Sequence, residues 1–338
     1  MHLNFNLSKK IISWYDNNKR VLPWRVPYNS PRKLYYRLLS EFMLQQTQVN
    51  TVIPFFNAFY KKYKNIQSLS KTSNTRILKS WQGLGFYRRA KNLHATSKII
   101  CQKHKGKIPL NYNELIMLPG VGDYTAKAIL AIAFDKPFLG IDGNIKRLVS
   151  RIFLLSSSKN ILKKLKSKVE SLIINKNNSE LMQGLMELGA LICKPNNPLC
   201  RKCPISSECL TYKRGKLNVK KKFKKIKNKN YFVIVSKKKN KYLMTYKHEL
   251  GPLKEFINFP IFVKKYSIKN SIKKIKFNNL KYIKKIKIPI SNQNCNLFLY
   301  SASTTNKKPI KDYMYVNKNQ LEKKFQSSFM KKIMEEIK

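Results

Sequence analysis

Leu118-Pro119-Gly120-Val121-Gly122-Asp123-Tyr124-Thr125-Ala126 lies between two stretches of helical spacing, the first ending near Met117 and the second opening at about Asp123 to Thr125. Two glycines bracketing a valine allow a tight helix-to-helix turn, because a residue without Cβ adopts the backbone angles such a turn needs. The same turn leaves backbone N–H groups facing outward at a helix N-terminus, an arrangement suited to a phosphate. It would grip a nucleic-acid backbone without reading base sequence. Alone, a GxG turn is equally well a plain helical hairpin, so its weight depends on what surrounds it.

From Leu7 to about Leu210, apolar residues recur every three to four positions between breaks of Pro, Gly or Asn, which predicts one all-α domain over residues 1–212. Near its end Cys193, Cys200, Cys203 and Cys209 follow C-x6-C-x2-C-x5-C, a loop over 193–209. Four thiolates on one loop ligate either a tetrahedral zinc or an iron–sulfur cluster. A single close pair with two distant outer cysteines favours a [4Fe-4S] cluster, since structural zinc sites usually bring two close pairs together. Cys101 and Cys295 have no such company and are expected to be small buried hydrophobes.

Between Lys213 and Lys229 ten of seventeen residues are basic and almost nothing is available to bury, so 213–229 reads as a solvated linker that can also lie on phosphate. Beyond it, Tyr231–Val235, Lys241–Tyr246 and Asn296–Ser301 are short β-rich runs, and Leu321, Phe325, Phe329, Ile333 and Ile337 return to helical spacing. A smaller α/β domain is therefore expected over 230–338.

The 338-residue chain is 43% apolar and 12% aromatic, enough for a core in each domain. Its 70 basic and 16 acidic residues leave a net charge of +54, which makes nucleic acid the default partner and an anionic membrane surface the second. Most of the excess is Lys and accompanies abundant Asn, Ile, Tyr and Phe, a set that drift toward A+T-rich codons would also produce. The most apolar stretch, Ala126–Phe134, already carries Lys127 and falls short of the roughly 18 residues a membrane span requires. The first ten residues lack the apolar centre of a signal peptide. A cytoplasmic chain, nucleoid-associated if bacterial, is expected, with no membrane partner.

The hairpin, Ile141-Asp142-Gly143-Asn144-Ile145-Lys146-Arg147 after it, and the four-cysteine loop together resemble the helix-hairpin-helix, Gly/Pro-Asp superfamily of DNA glycosylases, in its iron–sulfur branch. Ser40-Glu41-Phe42-Met43-Leu44-Gln45-Gln46-Thr47-Gln48-Val49 and Gly83-Leu84-Gly85-Phe86-Tyr87-Arg88-Arg89-Ala90 are similar to its adenine DNA glycosylase (MutY) family. The resemblance implies a multi-domain protein: an all-α helix-hairpin-helix glycosylase domain with a [4Fe-4S] loop, then a MutT-like α/β domain that recognises the lesion. The implied reaction is monofunctional base excision repair, hydrolysing the N-glycosidic bond of adenine mispaired with 8-oxoguanine or guanine in double-stranded DNA. Such a bond resists cleavage because the leaving base is a poor anion and the sugar becomes cationic, so an acid at the base and an anion at the sugar answer both demands.

By resemblance Glu41 protonates adenine, at N7, and Asp142 stabilises the oxocarbenium-like sugar or transiently bonds to it. Glu41 stands in an apolar run with Phe42, Met43 and Leu44, where desolvation would raise its pKa and favour the acid form. Without the motif, Glu41 would read as a solvent-facing helix residue and Asp142 as an N-cap. Arg25, Gln46, Gln48, Phe86, Tyr87, Gly120, Gly122, Tyr124, Asn144, Lys146 and Ser291 are the residues the resemblance places against substrate or DNA, with Cys193, Cys200, Cys203 and Cys209 on the cluster. The hairpin turn is a further place for a monovalent cation, and a monomer is expected.

Several positions depart from the pattern. Tyr124 stands where the endonuclease III-like relatives have the lysine that forms a Schiff base, which implies no strong strand cleavage. Phe86 replaces the usual Tyr, the segment between Arg25 and Glu41 is a few residues longer than usual, and Ile290-Ser291-Asn292 replaces Phe-Ser-His in the lesion-recognition loop. No acidic hydrolase box is present, so nucleotide hydrolysis is not expected. The alternatives are an endonuclease III-like pyrimidine glycosylase and lyase, disfavoured by Tyr124 and the second domain, and a catalytically idle DNA-binding protein, disfavoured by the retained Glu41, Asp142 and four cysteines.

Overall fold

The computed structural model describes residues 2–27, 29–155, 160–215, 227–246, 248–250, 257–263, 277–290, 293–304, 312–323 and 328–337. The chain separates into two compact units, one built on residues up to Thr72 and from Asn92 onward, the other on Ser73–Lys91 and the C-terminal sheet.

Twelve helices run through the first two-thirds of the described chain: α1 (His2–Asn18), α2 (Lys33–Leu44), α3 (Val49–Lys62), α4 (Ile66–Ser70), α5 (Asn74–Ser80), α6 (Arg88–Lys103), α7 (Tyr112–Ile116), α8 (Asp123–Phe134), α9 (Gly143–Ile152), α10 (Ile161–Glu170), α11 (Asn178–Leu191) and α12 (Leu210–Lys213). The helical succession expected from the spacing is thus observed, and its termini follow local chemistry. Asn65, Ser73, Asn111 and Asp142 each cap a helix with a side-chain oxygen on a backbone N–H. α8 is apolar nearly all round and is buried along its length, Thr125, Ala126 and Ala128–Ala133 all being buried. Around it Leu7 and Ile11 of α1, Leu148 and Val149 of α9, Leu165 and Val169 of α10, and Leu181, Leu185 and Leu188 of α11 close one core. A second apolar layer forms where Trp24 and Tyr36 meet Phe56 edge-on, with ring centroids 5.3 and 5.2 Å apart.

The C-terminal sheet has the strand order β4-β5-β1-β2-β6, with β3 pairing β1: β1 (Lys227–Lys238), β2 (Lys241–Thr245), β3 (Ile261–Phe262), β4 (Phe277–Ile290), β5 (Gln293–Thr304) and β6 (Tyr313–Asn317). β1 and β5 are parallel, and the other neighbours are antiparallel. The three strand runs read from the sequence fall in β1, β2 and β5. β1 opens at Lys227, so the last three residues of the stretch read as linker already pair with Gln293–Cys295, while 216–226 lies outside the described residues. β4 is not legible in the sequence, because Lys281, Lys284, Lys285 and Lys287 interrupt its apolar pattern. As an edge strand, β4 buries Phe277, Ile286 and Ile288 and tolerates lysines elsewhere. The helical spacing from Leu321 to Ile337 is represented by α13 (Lys318–Lys323) and α14 (Ser328–Glu336), with Phe325 outside the described residues.

Candidate active site

The LPGVG segment forms the connection between α7 and α8. Gly120 has φ +82°, and a Cβ there would come within 2.8 Å of Asn92 and Phe42, so both its backbone angle and its packing require glycine. Tyr112 Oη donates to Asp123 Oδ1 at 2.7 Å, tying the two helices together across the turn. Gly122 is the N-cap of α8 and supplies no side-chain cap, and a Cβ there would meet nothing within 4 Å. The first amides of α8 therefore face open space at the positive end of the helix dipole, as a phosphate requires. Pro119 and Gly120 carbonyls already accept from Thr96 Oγ1 (2.9 Å) and Gln45 Nε2 (3.2 Å), so a monovalent cation at this turn would share acceptors already in use.

α2, α8, α9 and α11 bound a solvent-open cleft of about 910 Å³. Glu41 and Asp142, far apart in sequence, both line it, together with Tyr124, Asn144, Arg25, Gln46 and Gln48. Glu41 is only 3% exposed, so its position on an apolar helix face is an interior one and not the solvent-facing one its residue type alone suggests. Burial pushes its carboxyl pKa up, the nearby Arg37 guanidinium opposes that shift, and the Asp142 charge adds to it. Asp142 is the N-cap of α9, accepting from Ile145 N at 2.7 Å and from Asn144 Nδ2 at 3.4 Å. Burial raises its pKa too, against the lowering effect of those donors. One aspartate thus caps a helix and faces the cleft, and the cap holds its carboxylate still.

Tyr124 interacts with both carboxylates: its hydroxyl hydrogen-bonds Glu41, and burial together with the charges of Glu41 and Asp142 raises its pKa well above the ordinary value. Its Oη also lies 3.6 Å from Met186 Sδ. It is a neutral, largely enclosed phenol. Asn144 is held in turn by Arg147, whose Nη2 donates to Asn144 Oδ1 (2.9 Å) and Gly189 O (2.6 Å).

Arg25 donates to Glu187 Oε1 (2.7 Å), Gln183 Oε1 (3.1 Å) and Arg20 O (2.8 Å), so each of its three guanidinium nitrogens is hydrogen-bonded within the protein. Arg20 completes a fork on Glu187 at 2.8 and 3.1 Å. Arg37, Gln183 and Glu187 line the cleft as well and are not identifiable from the sequence; nothing in their local surroundings distinguishes them from ordinary helix residues.

Gln46 and Phe86 share a backbone feature: both are non-glycine residues at positive φ, +58° and +47°. Such angles cost on the order of 1–3 kcal/mol and cluster at functional sites. Phe86 is 36% exposed, and its ring lies 5.2 Å from the Arg89 guanidinium, which is also 5.5 Å from the Trp81 ring. Gln48 is the N-cap of α3. Tyr87, next to Phe86, is buried in the core. Lys146 is exposed on α9 and does not line the cleft. Ser291 lies outside the described residues.

The four cysteines line one small hollow together with Arg151, Pro198 and Ile205. Arg151 Nη1 approaches Cys193 Sγ at 3.4 Å and donates to Lys194 O at 2.7 Å. Burial pushes the Cys203 thiol up to about 12, and the other three thiols push it the same way. Among the described residues no three His, Cys, Asp or Glu side chains converge as a single metal ion would need. Cys295 is buried, as expected for a small hydrophobe, and Cys101 is half-buried.

Residues 39–171 match the family described as HhH-GPD superfamily base excision DNA repair protein. The chain is 39% identical over 284 residues to the adenine DNA glycosylase of Buchnera aphidicola subsp. Baizongia pistaciae, covering 82% of this chain and 79% of that protein. It is 37% identical over 212 residues to the adenine DNA glycosylase of Mus musculus, covering 60% and 41% respectively. Among solved structures, a thermostable thymine-DNA glycosylase is 27% identical with a TM-score of 0.56, over 62% of this chain and 97% of that one. Endonuclease III in a non-covalent DNA complex shares the fold at 19% identity and a TM-score of 0.52, over 62% and 95%. Among the described residues no helix is long and apolar enough to cross a membrane.

Proposed function

Since the chain belongs to the adenine DNA glycosylases of the HhH-GPD base excision repair superfamily, and is thus a DNA N-glycosylase that excises adenine, we propose that its substrate is adenine opposite 8-oxoguanine or guanine in duplex DNA. The observation that carries the chemistry is the cleft itself: a buried glutamate and a helix-capping aspartate, with a neutral tyrosine interacting with both. Glu41 delivers a proton to adenine N7 as the C1′–N9 bond breaks. The Asp142 carboxylate, already held by Ile145 and Asn144, faces the positive charge that develops on the sugar. Water then adds to C1′ and gives its proton to the Glu41 carboxylate, leaving an abasic site and restoring the acid. Tyr124 cannot form the Schiff base a lyase needs, so the strand stays intact after excision.

Reaching adenine requires flipping it out of the stack. The Phe86 ring, half-exposed on a left-handed backbone, suits a wedge against the gap, and the α8 amides suit a flanking phosphate. The sheet unit is read as the MutT-like lesion-recognition domain, with Ser291 as the residue toward 8-oxoguanine.

The four cysteines fit a [4Fe-4S] cluster. They surround one hollow without converging on a point, and the half-buried Cys200, Cys203 and Cys209, whose thiols are pushed up by burial and by neighbouring cysteines, need a cationic centre to become thiolates. Cys193, Cys200, Cys203 and Cys209 would hold the cluster, which acts as a cross-link of the loop and takes no part in the steps above.

Incubation of the protein with duplexes bearing A opposite 8-oxoguanine, A opposite G, or thymine glycol, scored with and without alkali, tests the reading. Alkali-revealed breaks at A are expected, with few breaks before alkali. Cleavage at thymine glycol with none at A would overturn it.

A further inference from the structure

The general acid has a cation on its own helix. Arg37 stands one turn before Glu41 on α2 and is buried, with Nη1 3.4 Å from Glu41 Oε1 and Nη2 3.4 Å from Gln183 Oε1 on α11. A buried arginine is costly unless its charge and its donors are matched, and this one is matched by the carboxyl that must carry a proton in the reaction. The other groups facing Glu41 are Tyr124 from α8 and Asp142 at the start of α9. Arg25 and Glu187 lie farther along the network, joined to Arg37 through Gln183. Burial and Asp142 favour the protonated acid, whereas Arg37 favours the carboxylate. Protonation alone would be better served by an apolar residue at position 37. A forked cation there fixes the carboxyl in space and makes it a stronger acid, at the expense of the fraction loaded.

We propose that Arg37 is a positioning residue that orients the Glu41 carboxyl and limits how tightly it holds the proton destined for adenine, an inference that rests on the adenine-excision reading above. The Gln183 contact spans α2 and α11 and keeps the guanidinium in register with the acid.

The test uses the full chain as Arg37→Met and Arg37→Lys, each with and without Glu41→Gln. Methionine fills similar volume, and replacing one member of a buried pair leaves a carboxyl that can neutralise by taking up a proton. Infrared difference spectra between each protein and its Glu41→Gln counterpart report the Glu41 titration without any need for turnover. The midpoint is expected to rise by about one pH unit in Arg37→Met, a tenfold gain in proton affinity, and to stay near the original in Arg37→Lys. The alkaline limb of single-turnover excision at A should move in the same direction. Coincident midpoints in the folded original protein and Arg37→Met would overturn the proposal. A shifted midpoint in a protein that excises no adenine would uphold the hold of Arg37 on Glu41 and sink the enzymatic reading instead.

Discussion

The helical unit and the sheet unit use positive charge in opposite ways. Around the cleft, Arg20 and Arg25 clamp Glu187, Arg37 faces Glu41, and Arg147 holds Asn144, with every guanidinium engaged on a carboxylate, amide or carbonyl. In the sheet, Lys237, Lys281, Lys285 and Lys287 stand exposed along β1 and β4. A planar fork suits a matched interior site, whereas a flexible ammonium suits water. The net charge of +54 is therefore not one property: a few arginines are matched to partners around the cleft, while the lysines supply a diffuse field.

This contrast can be broken most sharply at the carboxylates the arginines serve. Glu41→Gln and Asp142→Asn should each lower single-turnover excision by on the order of 10³ or more while DNA binding persists, since the first removes the proton donor and the second the anion that faces the sugar. Near-normal turnover in either variant would remove the site assignment. Next in size is Glu187→Gln, which leaves Arg25 and Arg20 facing each other across a neutral amide at a position 2% exposed. Discounted for the partial exposure of Arg20, a loss of about 2–3 kcal/mol in urea unfolding is expected.

The pH profile sharpens the comparison further. Burial raises the pKa of both Glu41 and Asp142. Glu41 acts protonated, so activity falls as pH rises through its raised value; Asp142 acts ionised, so activity falls as pH drops through its own. Both limbs should lie closer to neutrality than exposed carboxyls would place them, and a flat profile across pH 4–8 would contradict the assigned roles. The smallest effect belongs to the sheet. Lys281→Gln, Lys285→Gln and Lys287→Gln together should change stability by less than about 0.5 kcal/mol. Each lysine that touches phosphate should reduce the slope of log affinity against log salt by about 0.9. No change in slope would mark these lysines as background.

Much of the site is legible in the sequence. The LPGVG turn, the Asp142 cap and the cysteine loop are each written in a short stretch of chain, and the fold uses them where local chemistry puts them. Arg37, Gln183 and Glu187 cannot be read this way. Arg37 meets a residue 146 positions away and Arg25 one 162 positions away, and neither stretch carries a local signature of a polar site. The burial of Tyr87 is hidden for a related reason: a tyrosine beside an exposed phenylalanine looks equally accessible until the core closes over it. β4 is hidden because an edge strand needs to bury only part of one face, and its lysines mask the alternation that remains.

Sequence alone set whatever depends on a few neighbouring residues: where glycine must allow a turn, which oxygen caps a helix, which thiols share a loop. Burial and charge pairing lay beyond it, because the proton affinity of a carboxyl depends on what surrounds it in space. Glu41 becomes a candidate acid when α2 turns it inward against Arg37 and Tyr124 brings its hydroxyl to it, and no window of sequence around residue 41 contains both partners.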